Sequence, residues 1–489
     1  MAEHGRSESA ELATELPSRY LPAVPYADLP EPQGLRRYLG ASVILTATAL
    51  GSGELVLWPY VTTQVGLGVI WLAVVGITMQ YFLNMEISRY TLITGETAVT
   101  GFSRLWLPWG VIFVLGAILP NLWPGWASSG ATVFTFIFDL SDSAVPIVAT
   151  IFLVSIGLAI TVSPVVYQTL EKVEGAMVAL ILIFVVAAIV VATDGSAWAS
   201  VITDIPQVTS NLPAIVSQLG AASLFGAIVF AGAGGANNLV QSNYVRDKGM
   251  GMGSRIPNIV SPVTGQEAAA PSLGYMTPTT DENKRRWRQW WRITNQEQLL
   301  TFWFIGALLL VSLSVLVFST VGVNSDLDSE LTFLRVEGRA LGELIAPWFA
   351  TAFYIAGFLM LFSTNVGVVD YVSRLAGDSL KVSFLKESTF WSESKIYITV
   401  VWILIVSGSG IIWTGIEPIV LLVISSAGGG FVMAFYSVLI IMINRRLLPR
   451  FARLAGWRLP VMVVIALFYV AFSVFLIYQM VTAGPASVA

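Results

Sequence analysis

The chain has 489 residues, of which 55% are hydrophobic and 11% charged, against about 25% charged in an ordinary soluble domain. A soluble core cannot hide so much apolar surface, which leaves a polytopic helical membrane protein; apolar runs of about 20 residues exclude a barrel, whose strands alternate over about 10. A net charge of −4 gives no reason to expect nucleic acid as a partner, the lack of cysteine excludes disulfides and thiolate metal sites, and the one histidine, His4, lies outside every apolar segment.

Residues 1–37 are polar and carry Pro22, Pro25, Pro30 and Pro32. They read as a tail, without the basic start, short apolar run and cleavage site of a signal peptide. Eleven apolar segments follow, at 38–66, 69–93, 107–137, 145–165, 171–192, 212–243, 297–323, 341–375, 394–414, 417–444 and 459–482. The third holds Pro120 and Pro124 and is read as one kinked helix. The expected class is all-α, with about eleven transmembrane helices.

Loop charges test the count. Lys and Arg collect in 244–296, in 374–395 and in the stretch before the last helix, with Arg445, Arg446, Arg450, Arg453 and Arg458. The opposite loops carry acids, among them Asp139, Asp142, Asp194, Asp204, Asp326 and Asp328. Basic loops face the cytoplasm. The N-terminus is therefore expected inside and the C-terminus outside, in an integral membrane protein of a bacterial inner membrane. The loop 244–296 ends in a run, Lys284 to Arg292, that interleaves cations with Trp287, Trp290 and Trp291. It reads as a cytoplasmic segment lying on anionic lipid.

Two spans interrupt their own helices. The first contains Gly51-Ser52-Gly53-Glu54 and the sixth Gly232-Ala233-Gly234-Gly235-Ala236-Asn237-Asn238. Glycine in a helix interior costs about 1 kcal/mol, and unwound backbone in a bilayer is tolerated only where protein or a cavity surrounds it. Both breaks open a five-helix set, 38–192 and 212–444, with 459–482 left over as helix 11. Paired broken helices at matching positions point to the substrate site of a secondary transporter. Close glycine-mediated packing is the plainer alternative, against which Glu54 and the asparagine pair weigh.

The chain resembles the Nramp family of divalent-metal transporters. Gly51-Ser52-Gly53-Glu54, followed by Gln64-Val65-Gly66, sits where that family has Asp-Pro-Gly-Asn and a Gln-x-Gly stretch. Gln80 through Thr94-Gly95 resembles its second helix, and Leu170-Glu171 its Leu-Glu at helix 5. Gly226 to Gly232 falls on the family's Gly-Ala-x-x-Met-Pro-His, with Val240-Gln241-Ser242 downstream, and Ser363-Thr364 with Gly367 resembles the polar stretch of helix 8. The resemblance implies a LeuT-type 5+5 inverted repeat with helices 1 and 6 unwound. It implies a substrate site at Gly51, Ser52, Gly53, Glu54, Ala227, Phe230, Ala231, Gly232, Asn237 and Asn238.

The departures bear on the substrate. The family's metal-binding aspartate falls on Gly51 and its asparagine on Glu54; its methionine ligand falls on Phe230. If a metal is moved, its ligands are all oxygen, from Glu54, Ser52, Asn237 and Asn238, and the ion is hard, such as Mg²⁺ or Mn²⁺. The first expectation is therefore a transporter of a hard divalent cation, with no enzymatic activity and no cofactor. Its partners are a small ionic substrate and the lipid bilayer. The same Gly-Ser-Gly also resembles amino-acid transporters of this fold, so a small organic solute is an alternative. A non-transporting sensor or scaffold is a third.

Other charges at membrane depth are Glu86 with Arg89, and Asp370 with Arg374 beyond Asn365. Each pair is spaced to bond on one helix face and is a candidate gate or relay. Glu171, Lys172 and Glu174 read as solvated. The stretch from Leu105 to Phe138 holds no acid. The resemblance places proton-carrying acids in helix 3, so transport is expected to be passive or coupled to another ion.

Overall fold

The structure is a computed structural model that describes residues 11–162, 166–257, 273–323, 331–416 and 418–483, with backbone alone at Ala41, Ser52, Val166, Tyr167, Thr169, Ile419, Val420, Met480 and Ala483. His4 lies outside the described residues. Among the described residues ten helices are long and apolar enough to span a bilayer: α1 (Ser42–Val65), α2 (Leu67–Thr94), α3 (Trp109–Phe138), α4 (Asp142–Val162), α5 (Leu170–Ala192), α7 (Asp281–Thr320), α8 (Pro347–Ser383), α9 (Glu393–Ile412), α10 (Leu421–Arg446) and α11 (Arg458–Gln479). Between α5 and α7 two shorter helices, Ala221–Val229 and Asn237–Asp247, together form α6.

The sixth segment starts later than its hydropathy suggests. Leu212–Leu219 is helical but bent 97° from Ala221–Val229. Gly220, at φ +79°, makes the turn, a conformation that costs glycine little.

Two other segments make packing contacts that their composition does not show. The residues before α1 are packed, not a loose tail: Leu16, Leu21, Val24 and Leu29 are at most 2% exposed. Arg104 Nη1 donates to the carbonyls of Pro17 and Pro22, Asn283 bonds Leu29 and Asp28, and Met276 pairs with Pro25 and Ala27. The Trp-Arg run is the start of α7; its tryptophans pack inward while Arg285, Arg288 and Arg292 stay exposed. Thr280 caps it by accepting from Asn283 N. Trp290 packs against Tyr38, centroids 4.8 Å apart and planes tilted by 60°, and Trp291 lies over the guanidinium groups of Arg89 and Arg458 at 4.1 and 4.9 Å. These aromatic rings thus find cations within the protein.

The basic links gather at one end of the bundle, where Arg246 bonds Glu393 at 3.0 Å and Arg89 bonds the Ala452 carbonyl at 2.9 Å. The helix Thr332–Leu344 lies at the other end. There Tyr354 Oη donates to the Arg335 carbonyl, and Arg335 lies over Phe136.

Both expected breaks fall where the glycines are, but they differ in kind. In α6 the chain leaves the helix after Val229 and resumes at Asn237; Gly234 and Gly235 take φ of +65° and +55°. In α1 the backbone stays wound, as a π-helix over Leu50–Leu57. Helix 1 is therefore widened where unwinding was expected. The wider turn keeps most backbone groups bonded to each other, and Gly51 N–H donates to Thr364 Oγ1 of α8 at 2.8 Å. That arrangement suits a setting where no water can stand in.

Candidate functional site

The two breaks press against each other. A β-carbon on Gly53 would come within 1.5 Å of the Phe230 carbonyl oxygen, and one on Gly51 within 2.6 Å of Thr364 Oγ1. Trp58 Nε1 donates to the Ala227 carbonyl at 2.9 Å. The α6 break is stapled from α2: Gln80 Nε2 donates to the Val229 carbonyl at 2.7 Å, and its Oε1 accepts from Gly234 N–H at 2.8 Å. One side chain thus satisfies both lips of the unwound segment. Asn238 completes the patch, donating to Asn84 Oδ1 at 2.8 Å and Gln80 Oε1 at 3.3 Å.

Beside this joint is a small cavity with a free volume of about 10 Å³, room for about one water molecule. Thr48 of α1, Asn121 and Trp126 of α3, Phe230 and Asn237 of α6, Tyr371 of α8 and Ser425 of α10 wall it. Trp126 and Phe230 face each other at 5.9 Å. Asn121 Nδ2 donates to Tyr371 Oη at 2.5 Å and to the Ala117 carbonyl. Asn237 Nδ2 donates to the Ala233 carbonyl, while its buried Oδ1 has no partner among the described residues. No charged side chain lines this space.

Of the residues named from the sequence, Phe230 and Asn237 reach the cavity wall. Gly53, Ala227 and Ala231 serve the contact between the breaks, Gly51 packs on α8, and Gly232 and Asn238 face α2; none of them lines the cavity. The Ser52 side chain lies outside the described residues. Glu54 is fully buried and neither carboxyl oxygen has a partner among the described residues, yet it is not in the cavity wall. Thr48 is. Six further residues carry the helix about one and a half turns, which turns Glu54 away from the cavity. Among the described residues no group of three His, Asp or Glu could hold a metal ion.

Sequence reasoning missed Asn121, Trp126, Tyr371 and Gln80 as site residues. The prolines that kink α3, Pro120 and Pro124, flank two of them and were the available signal.

The other membrane-depth charges are compensated. Glu86 accepts from Arg89 at 2.6 and 3.0 Å, from Arg458 at 3.0 Å and from Asn444. Asp370 accepts from Arg374, Tyr244 and Tyr397. Arg374 also bonds Asp247, while Arg246 bonds Asp247, Asp378 and Glu393. Two arginines and four carboxylates thus tie the end of α6 to α8 and α9. Asn365 is buried on α8, its amide nitrogen without a partner.

No family model matches the chain, and no curated protein matches it by sequence. Solved structures do. A histidine-to-alanine mutant of the Eremococcus coleocola manganese transporter superposes with a TM-score of 0.65, at 12% identity, over 93% of this chain and 89% of that one. This chain has that transporter's fold. A complex of the same transporter with an aromatic bis-isothiourea compound covers 96% of this chain and 93% of that one, at a TM-score of 0.61 and 12% identity. MHP1, a nucleobase-cation-symport-1 family transporter in a closed conformation with bromovinylhydantoin bound, matches at 0.50 and 14% identity over 97% and 95%. The architecture is the LeuT-type fold that the motif order implies.

Proposed function

We propose that the chain is a secondary transporter that carries a small organic solute, by alternating access, through the cavity between α1, α3, α6, α8 and α10. The observation that carries this reading is the cavity wall itself, which is polar and aromatic and holds no carboxylate. A dehydrated divalent ion needs several oxygen ligands and compensating charge. An uncharged group can instead bond to Asn121, Asn237 and Tyr371, and a planar one can part Trp126 from Phe230. The N-terminus of the second half of α6 opens at the cavity, which favours a negative end on the solute. The glycines at 232–235 are the hinge between the half-helices. The arginine–carboxylate network is the lock that holds the α6 end to α8 and α9. We take the two repeats as 38–192 and 212–444. The end that carries the basic links is cytoplasmic, by the bias of Lys and Arg toward that side.

A cation is the second reading. It is favoured by the buried, unpartnered carboxylate of Glu54 and by the manganese transporter among the structural neighbours.

The test is uptake by proteoliposomes, with labelled organic solutes in one arm and Mn²⁺ or Mg²⁺, read by an enclosed metal-sensitive dye, in the other. Solute uptake that falls in Tyr371→Phe and Asn237→Ala supports the reading. Saturable metal flux that Glu54→Gln abolishes overturns it in favour of the second.

A further inference from the structure

Helix α3 contains no acid, so a coupling group has to be sought elsewhere. Glu174 lies on α5, three residues after Glu171, in a stretch whose charges suggest exposure. It is nevertheless completely buried. Its Oε2 accepts a hydrogen bond from Ser363 Oγ of α8, and its Oε1 has no partner among the described residues. Ser363 Oγ also reaches the Ala47 carbonyl of α1 at 3.3 Å. Thr364 Oγ1 lies 3.4 Å from the same carbonyl and accepts from Gly51 N–H at 2.8 Å. The carboxyl group thus sits where α5, α8 and the π-helical break of α1 are tied together.

We propose that Glu174 is a proton-binding site whose occupancy is tied to the separation of α8 and α1 from α5. A buried carboxyl oxygen without a donor calls for an explanation, and a proton on Oε1 supplies one without requiring further ligands. The balance is simple. Oε1 takes up one H⁺ from water as the joint closes over the carboxyl group and returns it to water when Ser363 and Glu174 part; no electrons move. The charged neighbours are few. Asp370, on α8, acts on Glu174 electrostatically and is itself held by Arg374, Tyr244 and Tyr397. On α5, Glu171 is paired with Lys248 and Lys172 is exposed. From Ser42 to Leu50 of α1 and from Ile305 to Thr320 of α7 there is no charged residue. The coupling role rests on the transport reading; the proton site stands without it.

The experiment reads the carboxylic-acid carbonyl band by infrared difference spectroscopy on the full-length protein in liposomes, over a pH titration and without any solute. The comparison is made in a Glu54→Gln, Glu337→Gln background, which removes the other buried carboxyl groups with an unpartnered oxygen among the described residues. The expected result is one titrating band that is lost in Glu174→Gln. Ser363→Ala, which leaves the carboxyl in place, keeps the band and moves its midpoint about tenfold in proton concentration. A band unchanged by Glu174→Gln, or a midpoint indifferent to Ser363→Ala, overturns the proposal. So does a band removed by Na⁺ at constant pH, which makes the site one for a metal ion. A titrating Glu174 in a protein that moves no solute leaves the proton site intact and defeats the transport reading alone.

Discussion

Gly53 meets the carbonyl oxygen of Phe230 so closely that a β-carbon at 53 would stand 1.5 Å from it. The two broken helices are in backbone contact at the centre of the fold, and a side chain there forces them apart. Gly53→Ala is expected to cost at least the 1–3 kcal/mol or so usual for overpacking and to abolish solute uptake. Thermal melting of the purified protein checks the first effect and liposome uptake the second. A variant that melts with the wild type would mean that the breaks are not in contact.

Gln80 bonds both lips of the α6 break. Gln80→Leu leaves the Val229 carbonyl and the Gly234 N–H buried without partners, at about 1–3 kcal/mol each. The variant should melt lower than the wild type, and amide exchange around Gly234 should quicken. Gln80→Glu separates the two bonds, since it retains the acceptor for Gly234 and loses the donor to Val229.

The segment before α1 is held by Arg104, which also pairs with Glu96 at 2.5 Å, both side chains being buried. Removing one partner of a buried pair costs about 3–5 kcal/mol. Arg104→Met is expected to free residues 11–34 while the spans stay folded. Limited proteolysis should then cut within that segment in the variant and spare it in the wild type.

Glu337 lies outside the spanning helices, in Thr332–Leu344, and burial holds its carboxyl well above the ordinary value of 4.5. The folded state therefore binds this proton more tightly than the unfolded state. The stabilisation is complete below about pH 4.5 and is lost as pH rises toward the raised value. Glu337→Gln should flatten that fall and melt higher than the wild type at neutral pH. Melting curves across the range, wild type against variant, decide it. An unchanged slope would show that Glu337 has a partner or solvent in solution.

Hydropathy alone established the class of the protein, and the spacing of glycines located both helix breaks to within a few residues. These are local properties. An apolar run of about 20 residues and a cluster of glycines mean the same thing whatever surrounds them. The charge of the loops likewise marked the end of the bundle where the basic links meet. What the sequence by itself left open was direction and partnership. Glu54 stood out as the carboxylate beside a break, but the wound π-helix carries it about one and a half turns past Thr48 and off the cavity face. Glu174 read as solvated because its neighbours are charged, and only the packing of α8 over α5 buries it against Ser363. The proline-bearing start of the chain read as loose, yet Arg104, Asn283 and Met276, all distant in sequence, hold it down. Periodicity records where a helix runs and which stripe is apolar. Which polar group finds a partner depends on atoms brought together from a hundred or more residues away, and that is decided only when the helices pack.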